Sequence, residues 1–502
     1  MSSNLRIVAA FGLLLLAATA GIFFSGQLIL MLLKVAGPLS VDTYWSYVKA
    51  LDLPQFAPYA SKIKLAGAIG FGVPLLAWIA LLIPLFKPKA TALHGDARFA
   101  SGSDLAKKDM LKPSPTGIVV GKHGGKLVRL PGQQFVILAA PTRSGKGVGI
   151  VIPNLLDYQG SVVVLDIKQE NFDLTSGWRK SQGQEVFLFN PFAEDGRTHR
   201  WNPLSYIPPD PAFRVSSGDG SDLKGYLKKL SQRDFLGRDA KTAFDNLLSQ
   251  AEETFASIMG TFKEPLNQFI NPILDASTSD NDFLLTDVRK KKMSIYIGIQ
   301  PNKLAESRLL INLLFSQLIN LNTKELPQNN PALKHQCLLL MDEFTSIGRV
   351  DIIASAVSYM AGYNIRLLPI IQSMAQLDAT YGKDVSRTII TNHALQIVYA
   401  PREQQDANDY SDMLGYTTVR KKKKSHTSGK QSSVSYSETE QRRALMLPQE
   451  LKAMGFDKEV FLYEGIPSPV LCEKIKYYED AYFTKRLLPK AEVKALMSTA
   501  AW

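Results

Sequence analysis

Two stretches near the N-terminus carry no charge. Ile7 to Phe24 reads IVAAFGLLLLAATAGIFF, and the apolar character runs on from Leu28 to Leu33, interrupted only by Ser25 and Gln27. Leu65 to Phe86 reads LAGAIGFGVPLLAWIALLIPLF, with Pro74 and Trp78 inside it. A helix of about 20 apolar residues crosses a ~30 Å hydrocarbon core, so each run predicts a membrane span. Two spans return the chain to its starting side and leave residues 36–61 as a small loop on the other. Arg6, Lys87, Lys89 and Arg98 compete with Lys34, Lys49, Lys62 and Lys64, so loop charge does not set the orientation. The competing readings are a cleaved signal peptide for the first run, around Ala18-Thr19-Ala20, and a buried soluble helix for the second.

Beyond residue 90 the pattern changes to short continuous apolar runs. Phe135 to Ala140, Ser161 to Leu165, Glu185 to Phe189, Met293 to Ile299, Cys337 to Met341, Ile365 to Ile371 and Ala394 to Tyr399 predict strands buried on both faces. Helical stretches separate most of them, which is the alternation of a parallel α/β sheet.

The first of these strands leads into Ala140-Pro141-Thr142-Arg143-Ser144-Gly145-Lys146-Gly147, and Val148 to Tyr158 predicts a helix. Strand, glycine loop with lysine, then helix is the phosphate-loop arrangement. The loop amides of Thr142, Arg143, Ser144, Gly145, Lys146, Gly147 and Val148 are the candidate nucleotide ligands, and Lys146 would reach the β/γ oxygens. Ala140 stands in place of the usual first glycine, and Gly147 in place of the Ser/Thr whose hydroxyl holds Mg²⁺. The alternative is an ordinary glycine-rich turn.

Cys337 to Met341 ends in Asp342-Glu343. A buried strand that delivers two acids at its C-terminal edge places them where open α/β sheets bind ligands. Asp342 is the candidate Mg²⁺ ligand, and Glu343 the candidate for polarising the attacking water. Gln372 ends the next strand, where an amide would touch the γ-phosphate; otherwise it is a surface residue. ATP and Mg²⁺ are the cofactors these residues imply.

Composition narrows the class. The chain has 502 residues, a soft prior of about three domains. Only two cysteines, Cys337 and Cys472, exclude a disulfide framework or a cysteine-rich zinc site. A formal charge of +12 points to a polyanionic partner, nucleic acid or an anionic membrane.

Five segments together resemble a known family. They are HGDARFAS (94–101), APTRSGKGVGIVIPNLL (140–156), VVVLDIKQENFDLTSGWR (162–179), LLLMDEFTSIG (338–348) and IIQSMAQLDATYG (370–382). In this order they resemble the type IV secretion coupling proteins of the TraG/TraD kind. The resemblance implies a RecA-like P-loop domain (91–205 and 285–475), an inserted all-α domain (206–284), a transmembrane hairpin (1–90) and a tail (476–502). It implies a homohexamer in the bacterial inner membrane with a cytoplasmic ATPase domain. Its partners would be secretion-channel components, a relaxase–DNA complex or protein effectors, and DNA without sequence preference. Lys146, Asp342, Glu343 and Gln372 fall on the family's motif positions; Asp166, Lys168 and Glu170 match a segment whose role is less clear. A ring ATPase draws a cation from its neighbour, and Arg387 is the first candidate, Arg402 the second; each is otherwise a surface arginine.

The insert reads as short, with a linker-like Ser216 to Ser221 followed by helices near Asp239 to Met259 and Glu264 to Ala276. The basic run Arg420 to Lys424 would contact a nucleic-acid backbone, or else forms a solvated hairpin or loop. Leu487 to Met497 predicts a helix. Rival functions are an FtsK-like DNA-segregation pump and a nucleotide-binding membrane adaptor with little hydrolysis.

Overall fold

The computed structural model describes residues 3–86, 93–206, 223–234, 236–427 and 433–496. The linker-like segment Ser216 to Ser221 lies outside them. The chain divides into two units, Met1–Ala92 and Leu93–Trp502.

In the first unit, helices Ser3–Leu33 and Ala60–Phe86 lie side by side, and a short helix, Thr43–Lys49, sits in the connection. Trp78 Nε1 donates to the Ala10 carbonyl at 3.0 Å, tying one helix to the other. Leu15, Leu16, Leu76 and Ile83 project from the pair, exposed. Both helices are long and apolar enough to cross a membrane. Apolar side chains that face outward over two such lengths are consistent with an anchor in lipid.

The second unit contains thirteen strands among the described residues: β1 Ile118–His123, β2 Lys126–Leu130, β3 Val136–Ala139, β4 Ser161–Asp166, β5 Glu185–Phe189, β6 Met293–Gly298, β7 Cys337–Met341, β8 Ile365–Ile371, β9 Leu395–Val398, β10 Tyr416–Thr427, β11 Ser433–Ala444, β12 Lys458–Tyr463 and β13 Ile466–Glu473. Eleven form one sheet in the order β2-β1-β13-β12-β9-β3-β8-β7-β4-β6-β5. The run from β9 to β5 is parallel, and β12, β13, β1 and β2 extend it as an antiparallel wing. This is a RecA-like P-loop fold.

The continuous apolar runs have a physical reason. Along each central strand alternate residues enter different cores. Ile137, Leu165, Ile295, Leu339 and Leu367 join one cluster; Leu138, Val164, Tyr296, Leu340 and Leu368 join the other. Both faces are covered, so both sets must be apolar.

Between β5 and β6 the described chain is helical, as Leu223–Ser231, Arg238–Leu248, Glu252–Lys263 and Pro272–Thr278 with a 3₁₀ stretch at Glu264–Ile270. The single helix expected over 239–259 is broken at residues 249–251. The basic run lies in β10, which pairs with β11 as a separate two-stranded hairpin. Arg420 pairs with Glu440 across it at 2.9 Å, so part of that positive charge is neutralised.

The helix expected from Leu487 does not form: residues 487–496 run without helix, and Met497 lies outside the described residues. Pro489 lacks the N–H a helix needs. The segment straps instead onto helix Glu170–Ser181: Lys490 pairs with Asp173 at 2.9 Å and the Ala491 N–H donates to Ser176 Oγ at 3.0 Å.

Two buried arginines brace the sheet without a carboxylate partner among the described residues. Arg179 donates to the carbonyls of Leu155, Tyr158 and Gly160 at 2.7–2.9 Å and to Ser294 Oγ at 2.5 Å. Arg366 donates to the carbonyls of Gln134 and Thr116, both at 2.7 Å. Arg179 thereby fixes the turn between the helix after the phosphate loop, Ile152–Asp157, and β4. Replacing Arg179 with Met strands several buried acceptors at once. It should cost about 3 kcal/mol or more, read as a lowered unfolding midpoint of the detergent-solubilised protein. A loss under about 1 kcal/mol would show that these bonds do not brace the turn.

Candidate phosphate-binding site

Parallel strands all end on the same edge, and register decides what meets there. Ala139 of β3 is level with Ile371 of β8 and Val398 of β9, and Met341 of β7 is level with Leu165 of β4 and Pro369 of β8. The residues that follow these strands, Ala140, Gln372, Asp342 and Ile167, therefore open onto one rim.

The loop after β3 turns tightly. Arg143 has φ +59° and Gly145 φ +87°. The Ser144 N–H donates to the Pro141 carbonyl at 3.2 Å and the Gly149 N–H to the Gly145 carbonyl at 2.8 Å. The expected helix begins as a π-turn, Gly147–Val151, and becomes α-helical at Ile152–Asp157, where Pro153 occupies a position needing no N–H.

Lys146 lies between the two acids. Its ammonium is 3.2 Å from Asp342 Oδ1 and forms an ion pair and hydrogen bond with Glu343 Oε1. Gln372 Nε2 donates to Glu343 Oε2 at 2.8 Å, and Thr142 Oγ1 donates to Gln372 Oε1 at 3.0 Å. One chain of contacts thus runs from the loop through Gln372 and Glu343 to Lys146. Glu343 holds φ +55°, a left-handed conformation costly for a glutamate. The Ser346 N–H and Oγ both donate to its carbonyl, at 2.8 and 2.6 Å, and keep that turn in place.

Burial works against ionisation of both acids. In Asp342 burial prevails, aided by the Glu343 charge, and its carboxyl sits above the ordinary range despite Lys146. In Glu343 the bonds from Lys146 and Gln372 outweigh burial, and its carboxyl sits below that range. Two neighbouring acids pushed in opposite directions is a pattern suited to separate chemical roles. Lys168, exposed after β4, adds a further positive field on both.

Among the described residues no group of three or more His, Cys, Asp or Glu is arranged to hold a metal. The donors on offer are the Asp342 and Glu343 carboxylates. That fits an ion such as Mg²⁺, which keeps waters and takes phosphate oxygens alongside one or two carboxylates.

Not every candidate gathers here. Arg387 lies exposed on helix Lys383–Thr391 and makes no side-chain hydrogen bond or ion pair to Lys146, Asp342 or Glu343. Arg402 touches the loop of its own chain, Nη2 donating to the Thr142 carbonyl at 2.9 Å. Asp166 lies buried at the end of β4, accepting the Phe172 N–H at 2.8 Å and the Asn171 N–H at 3.4 Å, so it caps helix Glu170–Ser181. Lys474, which no motif marks, donates to the Ser144 carbonyl at 3.2 Å from 330 residues away.

A glycine loop with its lysine, on the same sheet rim as a strand ending in two acids, defines a RecA-like P-loop fold. The chain belongs to the type IV secretory system conjugative DNA transfer family, whose model matches residues 92–224 and 224–499. It is 28% identical to Protein VirD4 of Rhizobium radiobacter over 488 residues, covering 86% of this chain and 70% of that protein. It is also 28% identical to the conjugal transfer protein TraG of Escherichia coli over 461 residues, 73% of this chain and 72% of that one. The fold is similar to the bacterial conjugative coupling protein TrwBΔN70 in its unbound form, with TM-score 0.55, 16% identity, and 78% and 95% of the two chains covered. It is likewise similar to TrwB in complex with the non-hydrolysable ATP analogue ADPNP, with TM-score 0.53, 15% identity, and 78% and 95% covered.

Burial raises the Asp166 carboxyl to about 7, against the two N–H bonds that lower it. The folded protein therefore holds a proton that the unfolded chain has already released, and this group's contribution to stability falls as pH rises from about 4 to about 7. Asp166→Asn removes that term. The difference in unfolding midpoint should shift in favour of the variant between about pH 5 and 8; a constant difference would show that Asp166 stays ionised throughout.

Proposed function

We propose that this protein is a membrane-anchored coupling ATPase, which uses ATP hydrolysis to deliver DNA–relaxase complexes or protein effectors to a type IV secretion channel. The family match supports the transfer role, and the convergence of Lys146, Asp342 and Glu343 carries the enzymatic part. Related structures named as TrwB with ADPNP and TrwB with ADP and Mg²⁺ support ATP and Mg²⁺ as the ligands. The two apolar N-terminal helices support a bacterial inner-membrane location, with the nucleotide-binding unit on the cytoplasmic side where ATP is.

In this reading the loop amides from Thr142 to Val148 and the Lys146 ammonium bind the triphosphate. Asp342 would hold Mg²⁺ on the protein side, and the ion would supply charge neutralisation at the phosphoryl oxygens. Glu343, freed from Lys146 when the lysine turns to phosphate, orients and deprotonates the attacking water. Gln372 joins Thr142 to Glu343 and so links the loop to the base. Arg387, exposed and without a side-chain ion pair among the described residues, serves the site of the adjacent subunit in a homohexamer. The Arg420–Lys424 strand contributes sequence-independent contact to a DNA backbone.

In detergent-solubilised protein, Glu343→Gln should bind ATP with affinity close to wild type and lose about 100-fold or more in turnover. Loss of binding without loss of turnover per bound nucleotide would remove Glu343 from the chemistry. Arg387→Ala should likewise spare binding and lower turnover about tenfold or more; parallel loss of both would exclude it as the trans cation.

A further inference from the structure

Beneath the phosphate loop lies a buried polar cluster that no part of the proposed chemistry uses. The antiparallel wing brings it there: Glu459 belongs to β12, Lys474 follows β13 and Tyr399 follows β9. Glu459 is fully buried, and the Lys474 charge and the Tyr399 hydroxyl both act on its carboxyl. The Lys474 ammonium stacks 3.6 Å from the centre of the Tyr399 ring. The same ammonium donates to the Ser144 carbonyl at 3.2 Å. Gly149 allows this crowding: a side chain there would collide with the Tyr399 hydroxyl. Burying a lysine is expensive, and burial lowers its pKa to about 8.

The geometry of the peptide bond supplies a reason for that cost. A trans peptide is planar, so the Ser144 carbonyl and the Gly145 N–H point in opposite directions. The carbonyl is anchored inward on Lys474. The Gly145 N–H therefore faces the open side of the loop, and it has no acceptor among the described residues. The positive φ of Gly145 lets the chain continue from that orientation into the helix.

We propose that Lys474 is a positioning residue for phosphate binding: it holds the Ser144–Gly145 peptide so that the Gly145 N–H is presented to the triphosphate before the nucleotide arrives. The proposal rests on the reading of the loop as an ATP site. Preorganised donors cost no rearrangement on binding, and a buried cation behind the loop adds favourable potential for an anion.

The test compares Lys474→Met and Lys474→Arg with wild type, all full-length in detergent. For Lys474→Met, affinity for a fluorescent ATP analogue should fall about tenfold or more, the scale of one charge-assisted hydrogen bond. Turnover at saturation should stay within about threefold, a KM effect rather than a kcat effect. Lys474→Arg should fall between the two. Nucleotide-free hydrogen exchange provides a readout independent of ATP binding. Amides 143–147 should exchange faster in Lys474→Met while those of β5 stay unchanged. Wild-type affinity in Lys474→Met would overturn the proposal alone, and wild type that binds no triphosphate would overturn the ATP reading with it. Exchange that is unchanged at 143–147, or faster everywhere, would reduce Lys474 to a packing residue.

Discussion

One ammonium group shared by two carboxylates organises the site. Lys146 comes from a loop after β3, and Asp342 and Glu343 come from the end of β7, almost two hundred residues later. They meet because both strands run the same way with β8 between them. Reversing any one of these strands would send its motif to the far edge. The direction of the sheet is thus the structural precondition for the chemistry, and the crossover connections between the strands set that direction.

Strain and buried charge concentrate around this same rim. Arg143, Gln169 and Glu343 all hold positive φ at strand ends facing it, in loops where glycine would be cheaper. Asp166 and Lys474 are buried just behind it, one capping a helix and one holding a carbonyl. Apart from the helix cap, these features cost the fold stability. They make sense together as the cost of fixing a loop and a pair of acids in position before a ligand arrives.

Much of this was legible in the sequence. The strands were legible because burial on both faces demands unbroken apolar runs: Glu185–Phe189, Cys337–Met341 and Ile365–Ile371 have the bounds their patterns suggest. The gathering of Lys146, Asp342, Glu343 and Gln372 was legible because Asp342, Glu343 and Gln372 come at the ends of such runs and Lys146 closes the glycine loop that follows another. What local pattern could not carry was long-range pairing. Lys474 and Glu459 look like ordinary wing residues until β12 and β13 fold beside β9. The tail after Leu487 has helical composition, yet Pro489 and contacts with helix Glu170–Ser181 decide its course. The π-turn at Gly147–Val151 has no sequence signature beyond its glycines.

The most direct measurement of the shared site replaces Mg²⁺ with Mn²⁺ and uses a non-hydrolysable ATP analogue, with phosphorus couplings to the metal read by electron–nuclear double resonance. Wild-type protein should bind Mn²⁺ together with the analogue and show couplings to its phosphates. Asp342→Asn should weaken Mn²⁺ binding about tenfold or more while the metal-free analogue still binds through Lys146 and the loop. Mn²⁺ bound without phosphorus coupling, or bound equally well by Asp342→Asn, would mean that the lysine and the acids do not enclose one metal–triphosphate.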